Sequence, residues 1–181
     1  MTRYALLVRG INVGGKNKVV MAQLRQELAE LGLENVDTYI NSGNIFFDSS
    51  KARTLLVESL QGFFEVHYPF IKSFSLVSQE DYEEELRTLP AWWFQEMARK
   101  DVLFYTVGLN QDAVWELVSS FSLGDEIIHR GNLGIYWGKY SEETYTKTAY
   151  HRQVLKMPDY RLLTIRNANT FDKIGQFLRK S

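Results

Sequence analysis

Apolar residues recur along this chain with two spacings that take turns. Tyr4-Ala-Leu-Leu-Val8 is a continuous apolar run of strand length. From Met21 to Leu31 the spacing stretches to a helical period, with Leu24, Leu28 and Leu31 on one face and Gly32 as a stop. Residues 36–40 and 45–47 are strand-like again. Asn41-Ser-Gly-Asn44 between them is turn chemistry, so the pair predicts a hairpin. Residues 52–64 return to the helical period through Leu56, Leu60 and Phe63 or Phe64, and residues 70–77 read as a fourth strand. The order β-α-β-β-α-β is the split βαβ arrangement of a ferredoxin-like unit.

The same order then repeats. Residues 102–107 predict a strand, and 111–121 a helix with Val114, Leu117, Val118 and Phe121 on one side. Residues 126–128 and 133–137 flank a turn at Arg130-Gly131-Asn132, a second hairpin. Residues 144–155 predict a helix, 160–165 a strand, and 171–179 a last amphipathic helix with Ile174, Phe177 and Leu178 together. The halves share an order of elements rather than residues. Between them Ser78 offers a helix cap with Asp81 in the first turn, and Pro90 precedes Trp92, Trp93, Phe94 and Met97. This segment reads as a helical linker whose aromatics serve packing. Its acidic run, 81–85, reads as a solvated helix face. The fold class expected is α+β: two consecutive ferredoxin-like (alpha-beta plait) units at residues 1–78 and 101–181, a helical linker at 79–100 and a C-terminal helix.

Composition adds exclusions. The chain has 181 residues, a length that suits one domain or two small ones. It is 45% hydrophobic, enough for a core without staples. There is no cysteine, which excludes disulfides, thiolate zinc sites and thiol catalysis and fits a reducing compartment. No apolar run approaches the roughly 20 residues that span a bilayer, and residues 4–8 are too short for a signal-peptide core, so a cytoplasmic location without a membrane partner is expected. A net charge of −1 gives no bulk attraction for nucleic acid. His67, His129 and His151 stand far apart without ligand spacing, so no metal site is expected, and no cofactor fingerprint is present. Nothing in the pattern sets an oligomeric state.

The segment with the most unusual chemistry is Arg9-Gly-Ile-Asn-Val-Gly-Gly-Lys-Asn-Lys18. Glycines let backbone N–H groups approach an anion, and Lys16 and Lys18 add charge. Gly10 to Asn17 spells G-x-x-x-x-G-K-N, one residue from a P-loop. Three features argue against that reading. Asn17 stands where the Mg²⁺-binding hydroxyl should be, the leucine phase starts the helix near Met21, and the hairpins demand an antiparallel sheet. In a βαββαβ unit the loop after the first strand and the turn between the second and third share one sheet edge. Arg9, Asn12, Gly14, Gly15, Lys16, Asn17 and Lys18 should therefore lie beside Asn41, Ser42 and Asn44 and form a candidate rim for a small anionic ligand. The competing reading gives the glycines and asparagines to tight turns and left-handed positions, with the lysines solvated.

RGINVGGKNKVVMAQLR, with TYINSGN following, closely resembles the N-terminal signature of a widespread bacterial family, the domain of unknown function sixteen-ninety-seven. The resemblance resumes at Thr164-Ile-Arg-Asn-Ala-Asn-Thr-Phe-Asp-Lys173, where Ala168 replaces a tryptophan usual in the family. It implies a pair of ferredoxin-like units and supplies no activity, cofactor or catalytic residue. On the resemblance alone, Arg166 and Asn167 join the candidate ligand set.

Three functions follow as expectations. The first is a binding module holding a small anionic or nucleotide-like ligand at the rim. The second is an enzyme acting on a phosphorylated or nucleic-acid-derived substrate through the same loop, with no general acid or base identified. The third is an interaction module docking a partner through Trp92, Trp93 and Phe94. RNA recognition would need aromatics displayed together on strands one and three. Alternation instead sends Phe46 and Phe47 to opposite faces.

Overall fold

In the computed structural model, which describes residues 1–180, each predicted hairpin becomes part of a four-stranded antiparallel sheet. The first sheet is built from β1 (Thr2–Leu7), β2 (Glu34–Tyr39), β3 (Asn44–Ser49) and β4 (Ser75–Ser78) in the order β2-β3-β1-β4. β3 pairs antiparallel with both β1 and β2, so those two strands run parallel with β3 between them. α1 (Met21–Glu30) and α2 (Arg53–His67) supply buried stripes, Met21, Leu24 and Leu28 from one and Leu56, Leu60, Phe63 and Phe64 from the other. These stripes follow the leucine spacing of the sequence.

The second sheet contains β5 (Arg99–Tyr105), β6 (Glu126–Arg130), β7 (Gly134–Lys139) and β8 (Leu163–Asn167) in the order β6-β7-β5-β8. It carries α3 (Gln79–Thr88), α4 (Gln111–Ser119), the single turn α5 (Ala149–Arg152) and the start of α6 (Ala168–Leu178). The described residues thus form a mixed α+β protein with two antiparallel sheets and six α-helices. No helix among the described residues is long and apolar enough to cross a membrane.

Several expectations change. The compact units are Met1–Glu80 with Ile174–Ser181, and Asp81–Lys173. Most of the stretch expected as a linker therefore belongs to the second unit. Trp93 is buried there, edge-on to Tyr136 at 4.9 Å and to Phe171 at 5.5 Å. The acidic run is not all solvated, because Tyr82 and Glu85 are buried and the Tyr82 hydroxyl donates to the Phe171 carbonyl at 2.9 Å. Spacing i, i+3 puts both on one face of α3, and that face is the inner one.

The chain's end returns to the first unit. Phe177 stacks on Phe46 at 4.6 Å, and Arg3 Nε donates to the Phe177 carbonyl at 3.1 Å. Phe46 and Phe47 are both fully buried, so neither ring is open to stack on a base. The predicted helix at 144–155 is broken into short 3₁₀ turns around α5. The buried Glu126 carboxylate captures the amides of Ala149 at 2.6 Å and Tyr150 at 3.4 Å, and Thr148 Oγ1 caps the amide of His151 at 3.2 Å. These polar contacts interrupt a helix that period alone would continue. The strands at 70–77 and 160–165 shrink and shift to Ser75–Ser78 and Leu163–Asn167.

Candidate functional site

The register of the first sheet sets Leu7 opposite Asn44 and Tyr39 opposite Asn44, so β1 ends where the β2–β3 turn lies. The loop leaving β1 meets that turn directly. Val8 donates to the Gly43 carbonyl at 3.0 Å. Gly43 has φ 94°, and a Cβ there would come within 2.5 Å of Val8 Cγ2 and 2.8 Å of the Val8 carbonyl oxygen. Only glycine satisfies both conditions.

Asn12 is the hub. Its Nδ2 donates to the Val19 carbonyl at 3.1 Å and to the Asn41 carbonyl at 3.0 Å, while its Oδ1 accepts from Val19 N at 2.8 Å. One neutral amide thus ties both ends of the loop to the turn. Between them the chain makes a small two-stranded finger. Asn12 N donates to the Asn17 carbonyl at 3.1 Å, and Lys16 N to the Val13 carbonyl at 3.0 Å. Gly14 (φ 58°) and Gly15 (φ 74°) form its tip, the pair of positive φ angles that a type I′ turn requires. Asn17 Nδ2 closes the base on the Gly10 carbonyl at 2.9 Å. Asn44 is fully buried and donates to the Tyr39 carbonyl at 3.2 Å and to Ser42 Oγ at 3.3 Å. The asparagines Asn12, Asn17 and Asn44 therefore build the rim.

What the rim presents outward is cationic and apolar. Lys16 and Lys18 are exposed, and neither makes an ion pair among the described residues. Arg9 is half-buried at the loop's root. The adjoining helix α1 begins after Val20 without a side-chain cap and without an acidic residue in its first turn. Its first amides are thus left to solvent or a ligand. Sequence reading missed this feature, although the absence of Ser, Thr, Asp or Asn at position 20 signals it. Reading also missed Ile40, a β-branched residue at φ 51° that is 53% exposed. A left-handed conformation costs such a residue about 1–2 kcal/mol. Three of the four non-glycine residues with φ in this region among the described residues, Asn12, Asn17 and Ile40, lie in the rim.

Arg166 and Asn167 lie in the second unit on β8. Arg166 is buried and its Nη1 donates to the Ile165 carbonyl at 2.9 Å. Asn167 Oδ1 caps α6 by accepting from Thr170 N at 2.9 Å and borders a cleft of about 380 Å³ with Arg99, Lys100 and Asp101. The cations of that cleft are committed. Arg99 grips Glu142 through two nitrogens, and Lys100 Nζ donates to the Trp93 and Gln95 carbonyls at 2.6 and 2.7 Å. The histidines are dispersed: His67 stacks on Phe63, His129 lies near Tyr136, and His151 lies edge-on to Tyr145.

At the matching end of the second sheet the chemistry differs. Glu85 accepts from Asn132 N at 2.9 Å, Leu133 N at 2.6 Å and the Tyr136 hydroxyl at 3.0 Å. Burial, and then the carboxylate beside it, push the Tyr136 phenol well above its usual range. Arg130 pairs with Asp112, a bond that raises the guanidinium further above its ordinary value. Asn110 caps α4 by accepting from Ala113 N at 3.1 Å.

The family profile described as "Protein of unknown function (DUF1697)" matches residues 1–136 of this chain. The pattern at 164–173 lies beyond the matched residues. Among solved structures, the conserved bacterial protein SP0830 from Streptococcus pneumoniae is 67% identical, with 98% of this chain and 99% of that chain covered and a TM-score of 0.97. No curated protein matches the sequence. With the profile spanning well over half of its residues, and the rim of Arg9–Lys18 and Asn41–Asn44 inside that span, the chain belongs to the DUF1697 family of proteins of unknown function.

Proposed function

We propose that the protein is a binding module that holds a small anionic ligand at the rim of its first unit, and that each unit is a ferredoxin-like plait. The strand orders β2-β3-β1-β4 and β6-β7-β5-β8, each fully antiparallel, support the second part. The observation that carries the first part is the arrangement around Asn12. It locks the finger to the turn and leaves two unpaired ammoniums, Lys16 and Lys18, near an uncapped helix start. Oriented amides and unpaired cations together favour a negative charge. Neither Arg9–Lys18 nor Asn41–Asn44 contains a carboxylate or histidine, the commonest general acids and bases, which favours binding over catalysis.

Titration of the folded protein with inorganic phosphate and pyrophosphate, followed by amide shifts, tests this. Saturable shifts should centre on Gly14 to Lys18 and Met21 to Gln23. Lys16→Ala and Lys18→Ala should each weaken binding about tenfold, the effect of one lost charge-assisted bond. Arg9→Ala should weaken it less. Wild-type protein that shows no saturable binding to either anion removes the reading.

A further inference from the structure

Charge is only part of what the rim presents. Val13 at the finger, Val20 before α1 and Ile40 in the turn are 65%, 64% and 53% exposed. All three are linked to the Asn12 hub through the chain. Val13 is its chain neighbour, Val20 follows the Val19 that it bonds twice, and Ile40 precedes the Asn41 whose carbonyl it holds. A bare phosphate gains nothing from aliphatic surface. Ile40 sharpens the point. Asparagine or glycine occupies the other left-handed positions of this rim, whereas here a branched aliphatic does at φ 51°. The side chain is mostly exposed, so packing within the chain does not offset the strain. Strained, exposed apolar surface beside unpaired cations matches a ligand that is anionic at one end and apolar at the other.

We propose that the rim binds a nucleoside phosphate, with the phosphate at Lys16 and Lys18 and the planar base laid against Val13, Val20 and Ile40. The inference rests on the anion-binding reading above. Short branched side chains on an open rim offer flat contact, which suits a planar ring; an acyl chain needs an enclosed tunnel. The exposed Asn41 amide adds a donor and an acceptor of the kind that pairs with an adenine edge.

The test compares three probes by calorimetry: inorganic phosphate, ribose 5-phosphate and adenosine 5′-monophosphate. Wild type should bind the nucleotide at least tenfold tighter than ribose 5-phosphate. Ile40→Gly combined with Val13→Ser should reduce that gap to about twofold and leave ribose 5-phosphate affinity unchanged. Lys16→Ala should weaken both organic phosphates alike. A thermal midpoint at or above wild type for Ile40→Gly shows that the rim still folds. Equal affinity of wild type for the nucleotide and ribose 5-phosphate, with phosphate binding intact, overturns the nucleoside assignment alone. A gap that survives the double substitution also overturns it. If none of the three probes binds, the anion reading fails and this inference with it.

Discussion

The two sheets end in the same way and are finished differently. In each unit a loop leaves the first strand beside the turn of a hairpin, and a helix starts close by. In the second unit the chain supplies its own anions there. Glu85 occupies the amides of Asn132 and Leu133, Asp112 neutralises Arg130, and Asn110 caps α4 with Asp112 in its first turn. In the first unit α1 is uncapped, its first turn lacks an acid, and Lys16 and Lys18 stay exposed without an ion pair among the described residues. The join is made by the uncharged amide of Asn12, which ties loop to turn without neutralising anything. The second unit shows what electrostatic completion of this sheet end looks like. Around Lys16, Lys18 and the start of α1 the described residues of the first unit supply no such group, and the anion-binding proposal rests on that difference.

Substitutions can break or sharpen this contrast. The largest effect is expected from Glu85→Ala, which leaves two backbone donors and the Tyr136 hydroxyl without their partner in a buried site. The loss should be about 4 kcal/mol in a denaturant titration, at 1–3 kcal/mol per dry donor with partial rehydration. A loss below about 1 kcal/mol would mean the carboxylate is not what completes that end. Gly43→Ala comes next. A Cβ 2.5 Å from Val8 Cγ2 at φ 94° combines overpacking with left-handed strain, for about 3 kcal/mol. It should also abolish phosphate binding by parting finger and turn; retained binding would show that the turn is not part of the site.

Ile40→Gly should go the other way. Glycine accepts φ 51° freely, so the variant should gain up to about 1 kcal/mol, seen as a higher unfolding midpoint. A destabilised variant would show that Ile40 is held by packing rather than strained against it. The smallest effect is expected from Asp112→Asn, which frees Arg130 while Glu85 keeps the turn amides. Stability should barely move, because the Asp112 side chain is 90% exposed. Phosphate should not bind at the second unit of this variant; binding there would show that a free cation alone suffices and that the turn amides are irrelevant.

Local chemistry was legible where it is decided locally. Leu24 and Leu28 announced α1, Asn41-Ser-Gly-Asn44 announced the first hairpin, and from these the meeting of loop and turn followed by topology. Long-range partners were not legible. Glu85 reads as one more acid in a charged run, and only the folded chain reveals that two amides and a phenol converge on it. The helix expected at 144–155 failed for the same reason, since Glu126 takes the amides of Ala149 and Tyr150 from a distant strand. Ile40 was invisible because a φ angle is not a property of composition.

The return of Phe177 to Phe46 has a consequence for synthesis. Chains emerge from the ribosome at about 5–20 residues per second, N-terminus first. The first sheet is complete once β4 has emerged, yet the aromatic that covers Phe46 lies far downstream of β4, beyond the whole second sheet. For on the order of ten seconds the nascent sheet carries an uncovered phenylalanine face.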